Sequence, residues 1–127
     1  MGAALDVVQQ TYAAFGRHDI TALMKLIADE VDWEGVVPAT LPYAGRRRNP
    51  EEVANFFEHL LQDDIHAFEP REFIEAGEHV TVLGWAKITA VDTQKLFETE
   101  WVHVLTVKSG KITRWRGFFN TAARYDS

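Results

Sequence analysis

The feature that most constrains this chain is a change of pattern at Asp63 and Asp64. Before that acidic pair, apolar residues recur every three or four positions; after it, they alternate with polar residues in long runs separated by turn signals. Helices followed by strands within 127 residues predict one α+β domain rather than alternating β-α units. The strand-like runs are 68–75, 80–91, 97–107 and 112–121, punctuated by Gly77-Glu78 and Lys108-Ser109-Gly110-Lys111, which predicts an antiparallel meander. Runs of about ten residues exceed the usual five or six, so such a sheet must twist and coil and acquires a concave side. Gly84 and Gly117 lie inside these runs, where glycine gives up packing and suits a bend or the close approach of another group.

The helical half supplies a cover for that concave side. Leu5, Val8, Tyr12 and Phe15 form one face of a helix ending near Gly16, and Thr11 sits beside Tyr12. Asp19 is a suitable N-cap for a second helix, whose stripe of Ile20, Leu23, Met24 and Ile27 runs up to Asp29 and Glu30. Val31, Trp33 and Gly35 then alternate with polar neighbours as a brief strand with Trp33 facing inward. Residues 37–48, broken by Pro38, Pro42 and Gly45, read as a loop that carries Tyr43 and ends in the solvated basic run Arg46-Arg47-Arg48. Asn49, Pro50, Glu51 and Glu52 start a third helix with a cap, a proline at its first position and a glutamate able to reach back. Val53, Phe56, Phe57, Leu60 and Leu61 give it a broad apolar face. Three helices on a strongly curved, mostly antiparallel sheet make a cone with an internal pocket, and residues 1–127 are read as this single domain.

Composition excludes several functions. A formal net charge of -6 argues against nucleic acid as a partner. No apolar run approaches the roughly 20 residues that span a bilayer, and the N-terminus lacks a basic stretch followed by an apolar one, so no membrane partner is expected. The absence of cysteine removes disulfides and thiolate metal sites and suits a reducing, cytoplasmic setting. His18, His59, His66 and His79 show no ligand spacing, so no metal is expected. There is also no phosphate loop, dinucleotide fingerprint or nucleophile elbow, and no cofactor is expected.

Alternation along the third long strand places Thr99, Trp101, His103, Leu105 and Val107 on its inward side. An imidazole among apolar neighbours loses hydration, which favours its neutral form. His103 can then act as a base, an acid or a donor to a ligand oxygen, or serve as a core histidine bonded to Tyr12 or to backbone. Trp33, Trp85, Trp101, Trp115, Phe15, Phe119 and Tyr43 are the aromatic residues available as pocket walls. Glu34, Glu98 and Glu100 alternate away from the inward positions. Lys87 shares the face of Leu83 and Trp85, and enters the pocket only if that face does. Arg114 and Arg116 share the other face of the last strand, suited to ion pairs between subunits.

The opening helical pair, the segment Leu26-Ile27-Ala28-Asp29-Glu30-Val31-Asp32-Trp33-Glu34, the Asn-Pro-Glu-Glu helix start and Lys108-Ser109-Gly110-Lys111-Ile112 before a last aromatic strand resemble, in this order, the NTF2-like superfamily. Within it the chain is most similar to SnoaL-like and ketosteroid-isomerase-like proteins. The resemblance implies the α+β cone, a homodimer through the outer sheet face and a small-molecule ligand. Members include isomerases, polyketide cyclases, epoxide hydrolases, dehydratases and non-catalytic binders, so fold leaves function open. Laid along the isomerase, the general base falls on Gly35, the oxyanion tyrosine on Thr11 or Tyr12, and the protonated aspartate on His103. Without a carboxylate at position 35 the steroid reaction is not expected, and Gly117 stands where epoxide-hydrolase-like members carry an acid. The resemblance therefore implies a small, largely apolar ligand, polycyclic or carbonyl-bearing, held by His103 with Trp33, Trp101, Tyr12, Thr11, Phe15, Tyr43, Trp85, Trp115 and Phe119 about it. If the protein is an enzyme, the expected chemistry is cofactor-free proton transfer of the isomerase, cyclase or dehydratase type; the rival is a non-catalytic binding or dimerisation module.

Overall fold

Side-chain carboxylates and an amide cap the helix starts in the computed structural model, which describes residues 2–126. Helix α1 (Ala3–Gly16) is tied at its first turn by the Glu75 carboxylate, which accepts from Gly2 N and Leu5 N. The Asp19 side chain caps α2 (Ile20–Met24) by accepting from Ala22 N. At α3 (Pro50–Leu60) Asn49 accepts from Glu52 N at 2.9 Å, and the Glu52 carboxylate accepts from Arg48 N at 2.7 Å. Two backbone donors at one helix end are thus satisfied reciprocally.

The sheet has six strands: β1 (Ile27–Gly35), β2 (Gly45–Arg47), β3 (Asp64–Ala76), β4 (His79–Thr89), β5 (Leu96–Lys108) and β6 (Lys111–Phe119), in the spatial order β2-β1-β6-β5-β4-β3. All neighbours are antiparallel except β1 and β6. Register shifts interrupt the β3–β4 pairing twice, between Ile65 and Ala67 and between Pro70 and Glu72, and such bulges bend a strand. The core lies between the concave face and the helices, with Val8, Leu23, Val53, Val80, Val82 and Ile112 fully buried. Among the described residues, no helix is long and apolar enough to cross a membrane.

Four local expectations are corrected. The second helix stops at Met24 because Ile27 pairs with Ile112 and Ile112 N donates to Leu26 O, so sheet pairing captures the segment expected to continue as helix. The stretch 37–48 is not wholly loop, since Gly45–Arg47 pairs with Trp33 and Glu34 of β1. The chain after β6 turns into a short helix, α4 (Thr121–Asp126), instead of extending the last strand to residue 121. Arg116 is buried and pairs within the chain, donating to Asp32 Oδ2 at 2.8 Å, while Arg114 lies 3.8 Å from the same carboxylate. The hydrogen bond from Arg116 is the first cause of the lowered Asp32 pKa, which burial opposes.

Candidate functional site

Two glycines prepare the concave face. Gly84 is the cross-strand partner of Trp101, and the indole lies over it: a Cβ at position 84 would sit 2.2 Å from Trp101 Cζ2 and 2.6 Å from Glu69 O. Gly117 serves Trp115 in the same way, with the ring 2.3 Å from the position a Cβ would take. Both tryptophans can therefore lie flat on the sheet. Phe68 and Trp101 stack at 4.6 Å, Tyr12 lies nearly parallel to Trp101 at 5.8 Å, and His103 stacks against Trp101 at 4.2 Å. Trp33 stacks on Trp115 at 4.5 Å, and Phe56 meets both rings edge-on.

These rings line a partly open cavity of about 110 Å³ whose lining is almost wholly apolar. Helix α1 contributes Thr11, Tyr12 and Phe15, and the sheet contributes Trp33, Trp101, His103, Trp115 and Phe119. Tyr43 enters from the loop before β2. The hydroxyl of Thr11 is turned away, donating to Val7 O at 2.8 Å, so Tyr12 rather than Thr11 supplies the polar atom from this turn.

That atom meets His103. The Tyr12 hydroxyl and His103 Nδ1 share a hydrogen bond. Each side chain retains some uncovered surface, yet each is surrounded by protein on all sides; the two observations agree because the uncovered part borders the cavity. Burial lowers the His103 pKa to about 3 and raises that of Tyr12, against a smaller opposing effect of the Trp115 indole. Both groups are neutral near pH 7.

A neutral tyrosine–imidazole pair has a fixed hydrogen-bonding capacity. If Tyr12 donates to Nδ1, the imidazole keeps an Nε2–H donor; if Nδ1–H donates to Tyr12, the phenol keeps its O–H. Either tautomer leaves one donor to offer a ligand oxygen. In an apolar cavity such a donor is worth more than in water, because the alternative for the oxygen is no partner at all.

A second polar group at the cavity wall joins Asp63 and Arg124. Arg124 Nη1 donates to Asp63 Oδ2 at 2.7 Å and Nη2 to Asp63 Oδ1 at 3.0 Å, while Nη2 also donates to Asp92 Oδ1 at 2.9 Å. Burial works against the Arg124 charge, but Asp63, together with Tyr43 and Asp92, more than offsets it. The cation is thus internally matched. Among the described residues, no three His, Asp or Glu side chains converge as metal ligands would.

One expected wall is elsewhere. Trp85 faces the outer side of the sheet, where Arg71 lies 5.1 Å above its ring, and Lys87 shares that face opposite Glu98. The physical reason is the pairing of Gly84 with inward-facing Trp101: directly opposed residues share a face, so the next residue along must face out. The sequence reading passed over Asp63, Phe68 and Arg124, and Gly35 lines the cavity as well. The apolar stripe of α3 carried a signal for Phe56 and Phe57, both of which line it. Nothing in the six residues of α4 signals a buried arginine.

Residues 8–115 match the family described as the SnoaL-like domain. No curated protein matches the chain. Among solved structures, an NTF2-like protein from Burkholderia thailandensis E264 is 31% identical, with 97% of this chain and 95% of that one covered and a TM-score of 0.85. An NTF2-like protein from Burkholderia xenovorans LB400 is 30% identical over 98% of this chain and 94% of that one, with a TM-score of 0.84. TerC, co-crystallised with polyporic acid, is 25% identical over 98% and 96% of the two chains, with a TM-score of 0.83. From the match across most of its length and the six-stranded sheet with helices over its concave face, the chain belongs to the SnoaL-like domain family of the NTF2-like fold.

Proposed function

We propose that the protein binds a small, largely apolar, carbonyl-bearing molecule in its cavity, with the Tyr12–His103 pair as hydrogen-bond donor to the carbonyl oxygen. The observation that carries this reading is a neutral donor pair bordering an almost wholly apolar space, whose other charged groups, Asp63 and Arg124, are engaged with each other. Similarity to TerC, a protein co-crystallised with polyporic acid, supports an organic molecule as occupant. A donor held against a carbonyl oxygen also stabilises negative charge developing there, the step shared by isomerisation, cyclisation and dehydration next to a carbonyl.

Titration of the tryptophan fluorescence with 1-tetralone and with its oxygen-free counterpart tetralin tests the reading. One added hydrogen bond of about 1 kcal/mol makes the ketone bind roughly five-fold tighter. That advantage disappears in His103→Leu combined with Tyr12→Phe. Equal binding of the two compounds by the unaltered protein removes the proposed role of the pair.

Gly35 favours a second reading, binding without turnover, because no carboxylate stands at the position matching the isomerase base. Exchange of the protons beside the 2-tetralone carbonyl in deuterated water separates the two. Exchange above the buffer rate that depends on His103 means catalysis, and exchange at the buffer rate means a binder.

We also propose a homodimer through the outer sheet face. Val102 and Phe118 are paired across β5 and β6 on that face and are 36% and 41% exposed. Sedimentation of the native chain and of Val102→Glu distinguishes a dimer that the charge disrupts from a monomer unaffected by it.

A further inference from the structure

Helix α4 is attached differently from every other wall of the cavity. Helices α1 and α3 are anchored by fully buried apolar side chains, Val8 and Val53 among them. In α4, Ala122 and Tyr125 are exposed, Thr121 and Ala123 are half-buried, and Arg124, 2% exposed, is the one buried side chain among those described. The helix has no apolar face to bury, and its hold is ionic.

That hold bridges three parts of the structure. Asp63 follows the C-terminal end of α3 and also accepts from Val91 N at 2.9 Å, while Asp92 lies in the turn between β4 and β5. Arg124 grips both carboxylates, and the preceding segment adds a bond from Asn120 N to Thr99 Oγ1 at 3.1 Å. The guanidinium lines the cavity and lies 5.9 Å over the Phe97 ring, so moving it opens part of the wall.

We propose that α4 is a lid over the cavity, latched by Arg124 to Asp63 and Asp92, and that molecules enter when this latch releases. The energetic argument concerns the exchange of partners. In a buried ion pair the attraction is largely offset by lost hydration, and on opening water replaces each partner. The Asp92 side chain, 44% exposed, is already wet. Segments that bury few apolar contacts are the ones that open locally without global unfolding, whereas swinging α1 or α3 away would expose core aromatics. The lid requires no particular ligand chemistry and stands apart from the role proposed for the Tyr12–His103 pair.

Acrylamide quenching of tryptophan emission tests the lid without any ligand. In a Trp85→Phe background the emission comes from Trp33, Trp101 and Trp115, all of which line the cavity. Two variants are compared with that parent: a chain ending at Asn120, and Asp92→Asn, which loosens the latch from its wet side and spares Asp63. The expected result is a native circular dichroism spectrum, one cooperative unfolding transition, and a quenching constant raised about three-fold or more without α4 and by a smaller factor in Asp92→Asn. Faster quenching in either folded variant supports the lid. The proposal is overturned if every variant that folds quenches at the parent rate, or if neither folds, because α4 would then belong to the core.

Discussion

Acidification probes the interior through His103. Burial among Tyr12, Trp101 and Trp115 lowers its pKa from 6.5 to about 3 in the folded chain. Between these values the unfolded chain binds a proton that the folded one refuses. Stability therefore falls as pH falls through this window, by about 1.4 kcal/mol per unit. The contribution is fully present only above about pH 7, about 2 kcal/mol of it is gone by pH 5, and roughly 4 kcal/mol is gone near pH 3. Since a domain of this size has only about 5–15 kcal/mol in all, this one ring makes the fold markedly acid-sensitive. The assay is denaturant unfolding from pH 8 to pH 5 for the native chain and for His103→Asn, whose amide can still bond Tyr12 but does not titrate. Other ionisable groups contribute equally to both proteins and cancel in the difference. The expected difference is constant above pH 7 and changes by about 1.4 kcal/mol per unit below pH 6. A flat difference across the whole range, or an NMR titration of the folded His103 ring near pH 6.5, refutes the burial argument.

Three further outcomes follow from the same geometry. Tyr12→Phe keeps the ring stack but leaves the imidazole nitrogen without its partner, which should cost about 1–3 kcal/mol and lower the calorimetric midpoint by several degrees; an unchanged midpoint would mean the hydrogen bond contributes nothing. Gly84→Ala should destabilise by about 3 kcal/mol, more than Gly117→Ala, because its Cβ meets the Glu69 backbone as well as an indole, whereas the three atoms nearest a Cβ at 117 all belong to the Trp115 ring; denaturant midpoints giving the reverse order would count against this account of the floor. Asn49→Ala removes the acceptor for Glu52 N and should cost about 0.5–2 kcal/mol in the same measurement, with no change in ligand binding.

Periodicity reached the class of fold because the switch at Asp63 and Asp64 coincides with the real boundary between α3 and β3. It located Tyr12, Trp33, Trp101 and His103 on cavity-lining positions because strand alternation and helical spacing are rigid local rules. It misplaced Trp85 because alternation gives two opposite faces without saying which is concave; only the partner of Gly84 decides that, and pairing is a long-range fact. The early end of α2 failed for a similar reason. Ile20, Leu23, Met24 and Ile27 fit a helix locally, but Ile27 gains more by pairing with Ile112, 85 positions away. Arg124 was illegible because a lone arginine near a chain end carries no local mark of burial; its two carboxylate partners lie 61 and 32 residues earlier.

The two missing methyl groups at Gly84 and Gly117 have a consequence for how such a cavity changes over evolution. An indole that fills the space above a bare backbone couples the two positions as a single volume, so neither can vary alone without either a clash or a hole. A chain that exchanged Gly84 for a larger residue would have to shrink Trp101 in the same lineage, and the cavity would then gain relief where it now has a flat floor. New specificities should therefore arise by paired exchanges of a glycine with its tryptophan, while the walls contributed by the helices remain free to drift one residue at a time.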